Sequence, residues 1–144
     1  MSQPVWIVVA NGASARAFER RGALAPLIEL QHWSHPQTRM HAAELSRDHP
    51  GPGHSGRGGL TPRIEERHKA RQQFAHELSQ WLQARLAQHP QGQVALLSSN
   101  PFLGELMAAL PEGVHTHVCA SHPIDLTHLT FQALDECLHR DYRL

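Results

Sequence analysis

Residues able to do chemistry fall in three stretches of this sequence. Gly56-Arg57-Gly58-Gly59 is followed by Arg63, Arg67 and Lys69. It joins glycines, which let a backbone approach a ligand closely, to cations suited to phosphate. His115, His117 and Cys119 alternate, so on a strand all three point to one face. They are soft metal ligands, but same-face neighbours on a strand lie about 7 Å apart, too far to share one zinc. No CxxC or HExxH pattern supports them, and structural or surface histidines are the expectation, with no metal and no cofactor. Ser98-Ser99-Asn100 joins a strand end to a helix start, where an anion can rest. It lacks a glycine fingerprint, and helix capping is sufficient reason for it.

Other catalytic patterns are missing. Two-metal hydrolysis needs a carboxylate cluster, and the first apolar run, Val5–Ala10, holds no acid and ends at Asn11. No Ser/His/Asp spacing stands out among 13 histidines. No catalytic residue is expected, and the balance leans against an enzyme.

Charge points to the same stretch as the glycines. The chain has no net charge, but residues 39–71 carry seven bases (Arg39, Arg47, Arg57, Arg63, Arg67, Lys69, Arg71) against four acids (Glu44, Asp48, Glu65, Glu66). A local basic excess is the electrostatic footprint of a polyanion partner. The 144 residues, 40% hydrophobic, suit one domain able to bury a core. Met-Ser-Gln-Pro before the first apolar run is no signal peptide, and no run spans a bilayer. Cys119 and Cys137 sit in core-like contexts, so two free thiols in a cytoplasmic, reducing compartment are expected.

These stretches need elements to position them. Val5–Ala10 reads as a buried strand ending at Asn11-Gly12, a hairpin signal because both residues tolerate positive φ. Residues 15–19 and 27–33 complete an antiparallel meander, a short helix being the alternative for the latter. Periodicity then disappears, and five glycines with two prolines over residues 48–59 predict a long flexible loop at about 34–61. Thr61-Pro62 signals the start of a long helix. Its apolar positions, Phe74, Leu78, Trp81, Leu82 and Leu86, lie in its second half, so its polar first half projects beyond the core. Residues 94–98 and 114–120 read as further strands. Asn100-Pro101 begins a helix with a Leu103, Leu106, Met107, Leu110 stripe, and Thr130 begins the last, with Phe131, Leu134 and Leu138 facing in. Trp6, Trp33 and Trp81 are assigned to the core. The order βββαβαβα gives an α/β fold, a mixed five-stranded sheet flanked by helices, in one domain over residues 1–144.

Several segments, in order along nearly the whole chain, resemble the bacterial host-attachment protein family. They are Trp6-Ile-Val-Val-Ala-Asn-Gly12, Ala15-Arg-Ala-Phe18, Glu44-Leu-Ser-Arg-Asp-His-Pro-Gly51, Phe74-Ala-His-Glu-Leu78, Phe102-Leu-Gly-Glu-Leu106 and Asp125-Leu-Thr127. That family in turn resembles the middle domain of archaeal and eukaryotic class-1 peptide release factors. The resemblance implies an RNase H-like sheet with a long loop before a long helix. In those factors a GRGGQ loop carries its glutamine into the peptidyl-transferase centre. Here Gly56-Arg57-Gly58-Gly59-Leu60 stands at that place, followed by Glu66-Arg67-His68, similar to the factors' Glu-Lys-Arg-His stretch. The glycines carry over onto Gly58 and Gly59, whereas Leu60 replaces the glutamine.

The resulting expectation is a translation-associated module that binds the ribosome or structured RNA through Arg57, Gly58, Gly59, Arg63, Arg67 and Lys69. It involves no membrane and leaves the oligomeric state open. A peptidyl-tRNA hydrolase that dispenses with glutamine is the enzyme alternative. A non-catalytic protein-interaction factor, affecting attachment indirectly, is the third.

Overall fold

The structure is a computed structural model and describes residues 3–35 and 56–144, the side chains of residues 56–63 excepted. The chain runs β1 (Val5–Ala10), β2 (Ser14–Arg20), β3 (Ile28–Ser34), α1 (Gly56–Gln88), β4 (Gln93–Ser98), α2 (Phe102–Ala109), α3 (Glu112–His115), β5 (Val118–His122) and α4 (Phe131–Tyr142). The five strands form one sheet in the order β3-β2-β1-β4-β5. β1 is antiparallel to β2, and β2 to β3, whereas β1 and β4, and β4 and β5, are parallel. The expected mixed five-stranded α/β sheet is therefore present, with α3 as an extra helical turn, and residues 28–34 form a strand and not a helix.

β1 shows how the sequence builds two layers. Trp6, Val8 and Ala10 face one way and pack with Phe74, Leu78 and Leu82 of α1 and Phe102 and Leu106 of α2. Ile7 and Val9 face the other way, against Phe18, Leu97, and Leu134 and Leu138 of α4. A strand buried on both faces reads as a continuous apolar run, because strict alternation would put polar groups into one core. Each large side chain removed from water here contributes about 1.5–3 kcal/mol.

Small features fix the ends of the elements. Gly92, between α1 and β4, has no room for a side chain: an added Cβ would lie 2.3 Å from the Trp6 ring. Thr130 caps α4 as expected, its hydroxyl accepting from the Ala133 N–H at 3.2 Å. Arg20, nearly buried at the end of β2, ties three segments together. Its Nε donates to the Leu144 carbonyl at 2.6 Å, its Nη1 to the Ala25 carbonyl at 2.9 Å, and its Nη2 to the Asp135 carboxylate.

Several expectations need correction. α1 begins at Gly56, not at Thr61, so Gly56-Arg57-Gly58-Gly59-Leu60 is helical and not part of a loop. The remainder of the expected loop, residues 36–55, lies outside the described residues. Asn11-Gly12 makes its turn without positive φ at either position; Gly22 has the positive φ, at 109°. The Asn11 side chain turns the chain instead, its Oδ1 accepting from the Ala13 and Ser14 N–H groups at 2.9 and 2.8 Å. Asn100 does not cap α2: Pro101, after a cis peptide bond, holds the N-cap position with no side-chain hydrogen bond. Trp6 is buried, but Trp33 and Trp81 are only half-buried, Phe131 is 42% exposed, and Cys119 lies on the surface. Both thiols are free.

Candidate nucleic-acid interface

At about 1.5 Å per residue, the 33 residues of α1 span roughly 50 Å, more than twice the length of the strands beneath them. Its core stripe runs through Leu82, Leu78, Phe74 and Ala70, the last buried at 6% exposure. Docking thus begins one turn earlier than the apolar pattern implied. Before Ala70 the burial stops: residues 64, 65, 66, 68 and 69 are exposed. Glycines and charged residues offer no apolar stripe to bury, so this end of the helix extends past the sheet as a polar arm.

A partly buried ion pair anchors the base of the arm. Arg71 Nε meets Glu105 Oε1 of α2 at 2.8 Å, and Nη2 meets Oε2 at 3.2 Å, with both side chains mostly shielded from water. His68 joins them, its Nδ1 lying 3.2 Å from Glu105 Oε2 and 3.3 Å from Arg71 Nη2. The Arg71 stem crosses directly over Gly12, where an added Cβ would stand 3.0 Å from Arg71 Cδ. Gly12 leaves room for this stem, and its φ is not positive.

This pair lies by the carboxyl end of β1, where open α/β sheets commonly hold ligands. Glu105 brings a carboxylate to the first turn of α2, the wrong charge for an anion at that helix end. Ser98 is buried and donates to the Ser99 carbonyl at 3.1 Å. The capping and anion readings of Ser98-Ser99-Asn100 both give way to a plain connection between β4 and α2.

The other side of the β1 end is closed by Asn11. Its Nδ2 donates to Asp125 Oδ2 and to Thr127 Oγ1, each at 3.1 Å. Asp125 Oδ1 accepts from the Thr127 N–H at 2.9 Å and the Thr127 hydroxyl at 2.6 Å. Partial burial pushes the Asp125 carboxyl up. The bonds from Thr127 and Asn11, with His128 nearby, outweigh it and hold the carboxyl below its ordinary range. A carboxylate does stand beside the end of β1, but among the described residues no three ligands group to hold a metal.

The shared strand face expected for the histidines is not formed. His115 ends α3 and His117 precedes β5, so His115, His117 and Cys119 do not share a strand face. His115 Nε2 lies 2.7 Å from the Met107 carbonyl and His117 Nδ1 lies 2.9 Å from that of Gly92, both structural contacts.

All six residues expected to meet RNA belong to the N-terminal part of α1, but the positions of Arg67 and Lys69 fall on different faces of it. Arg67 continues the core stripe of α1 one turn beyond Ala70 and Arg71, and position 63 lies one turn further along it. Lys69 lies on the opposite, solvent side and is exposed. Arg57, Gly58 and Gly59 belong to the first turn of the helix. Arg67 and Lys69 make no ion pair among the described residues, and the Nε of Arg67 is buried without a hydrogen-bond partner. Arg71, which composition grouped with these bases, is occupied by Glu105. Sequence reasoning missed that pair and the Asn11–Asp125 contact.

The fold and arm define an α/β protein with a long basic-tipped helix and, among the described residues, no grouped metal ligands. Its sequence places it more narrowly. The chain belongs to the family described as "Protein required for attachment to host cells", which matches residues 6–138. No curated protein matches it. No helix among the described residues is long and apolar enough to cross a membrane.

Proposed function

We propose that this protein binds structured RNA, in the setting of the ribosome, through the N-terminal arm of α1. The contacts are drawn from around the arm: Arg57, Gly58 and Gly59 in its first turn, Arg63 and Arg67 on one stripe, and Lys69 on the other side. The carrying observation is that Arg67 and Lys69 stand beyond the core without a carboxylate partner among the described residues, while neighbouring Arg71 is neutralised. Phosphate oxygens accept from cationic side chains of this kind and hold a register without reading sequence.

No hydrolytic step is assigned: Leu60 has no side-chain amide to position water. The family's part in host attachment is then an indirect effect of binding RNA. The test is sedimentation of the purified protein with isolated ribosomes at low and moderate salt. Co-sedimentation that falls as salt rises is expected, and protein left in the supernatant at low salt overturns the reading.

A further inference from the structure

We propose that Trp33, Trp81 and Arg85 form a docking surface for a protein segment presenting a carboxylate beside apolar side chains. Trp33, near the end of β3, lies opposite Ala15 on the α1 side of the sheet. Its ring meets that of Trp81 at 5.6 Å and 88°, an edge-to-face pair that fixes both orientations. Neither indole is fully buried, and neither N–H is hydrogen-bonded among the described residues. Arg85, one turn after Trp81, lays its guanidinium over the Trp81 ring at 4.8 Å. Stacking holds the planar fork in place while leaving its edge donors free. Among the described residues no carboxylate pairs with it; Glu77, one turn before Trp81, pairs instead with His35 at 3.3 Å. Ile28, 48% exposed at the other end of β3, adds apolar surface on the same face.

Two partly buried tryptophans and a pre-oriented arginine are the residue types that dominate protein–protein hot spots. The unpaired positive fork selects a carboxylate. RNA fits less well, since Arg85 is a single cation among Gln80, Gln83 and Gln88, whereas RNA affinity needs several phosphate contacts. A second copy also fits less well, because a two-fold contact brings the same patch, with its unpaired arginine, against itself. The patch lies about 20 Å along α1 from Arg67, so its failure and that of the RNA reading are separable.

The test uses the full chain and two labelled amphipathic peptides with the same leucines, one flanked by glutamates and one by lysines, read by fluorescence anisotropy. The glutamate peptide is expected to bind about tenfold tighter than the lysine peptide. Arg85→Glu, its fold checked by circular dichroism, is expected to reverse that preference. Equal affinities, a preference that Arg85→Glu leaves unchanged, or no binding by either peptide up to about 1 mM overturns the proposal. So does Arg85-dependent binding of an RNA hairpin, or Arg85-dependent self-association in sedimentation equilibrium.

Discussion

Arg71 and Glu105 meet as two forks, Nε to Oε1 at 2.8 Å and Nη2 to Oε2 at 3.2 Å, across the gap between α1 and α2. The pair marks the point where the long helix changes from a core element to a free arm, and so sets the arm's direction. Glu105→Ala leaves a shielded guanidinium without its charge partner and is expected to cost about 2–3 kcal/mol, somewhat below a fully buried pair. Replacing both partners by Arg71→Met and Glu105→Leu should recover much of that loss. Urea denaturation measures all three proteins; a single mutant as stable as the wild type would remove the pair from the anchoring role.

Gly92→Ala tests packing elsewhere. The new methyl would meet Cζ3 and Cη2 of Trp6 at 2.3 and 2.4 Å, and that ring is fully buried with nowhere to move. Overpacking of this kind costs about 1–3 kcal/mol. A lower urea midpoint with a shifted tryptophan emission is the expected result. Unchanged stability would mean that the turn between α1 and β4 gives way at little cost.

How much of this is legible in sequence depends on the range of the interaction. The uninterrupted apolar run of β1 and the Thr130 cap are local, and both are readable. The start of α1 is not, because Gly56, Gly58, Gly59 and Pro62 all weigh against helix, each glycine by about 0.5–1 kcal/mol and an interior proline by about 3 kcal/mol. β-branched Val114 and Val118 suggest one strand, but Pro111 and Glu112 start a helical turn that takes up Val114 and His115. The partners that matter at the end of β1 are 34 and 114 residues apart, Arg71 with Glu105 and Asn11 with Asp125. No periodicity or spacing reports such pairs. Composition groups the arm's bases together, yet which of them is already neutralised follows only from the fold.

Asp125 gives the fold a predictable response to acid. Its carboxyl is held below the ordinary range despite partial burial, because Thr127 and Asn11 bond its ionised form. A lowered folded pKa contributes stability that is fully present above the unfolded value of about 3.9 and is lost as pH falls through the lower folded value. Asp125→Asn should therefore lower Tm at pH 6 and flatten the wild-type decline below about pH 4. Thermal melts from pH 6 to pH 2.5 check this; parallel Tm profiles for the two proteins would show that the carboxyl titrates alike in the folded and unfolded chains.

The arm itself is tested by charge reversal. Positions 63 and 67 are four residues apart and lie on one stripe of α1, so Arg63→Glu with Arg67→Glu changes one continuous strip of surface. If that strip meets phosphates, the double mutant should bind an RNA hairpin or ribosomes at least about tenfold more weakly, whatever the RNA sequence. The slope of log affinity against log salt should fall by about two, because two phosphates are no longer neutralised. Stability should change little, because Ile64 is 49% exposed and Ala70 is the first buried residue after it. Lys69→Glu, on the opposite side of the helix, serves as the internal comparison: a smaller loss places the RNA along the Arg63–Arg67 stripe, and an equal loss makes the whole arm the binding surface. Binding by the folded double mutant that matches wild type at several salt concentrations rules the arm out, and the family's role in attachment must then be sought on another face.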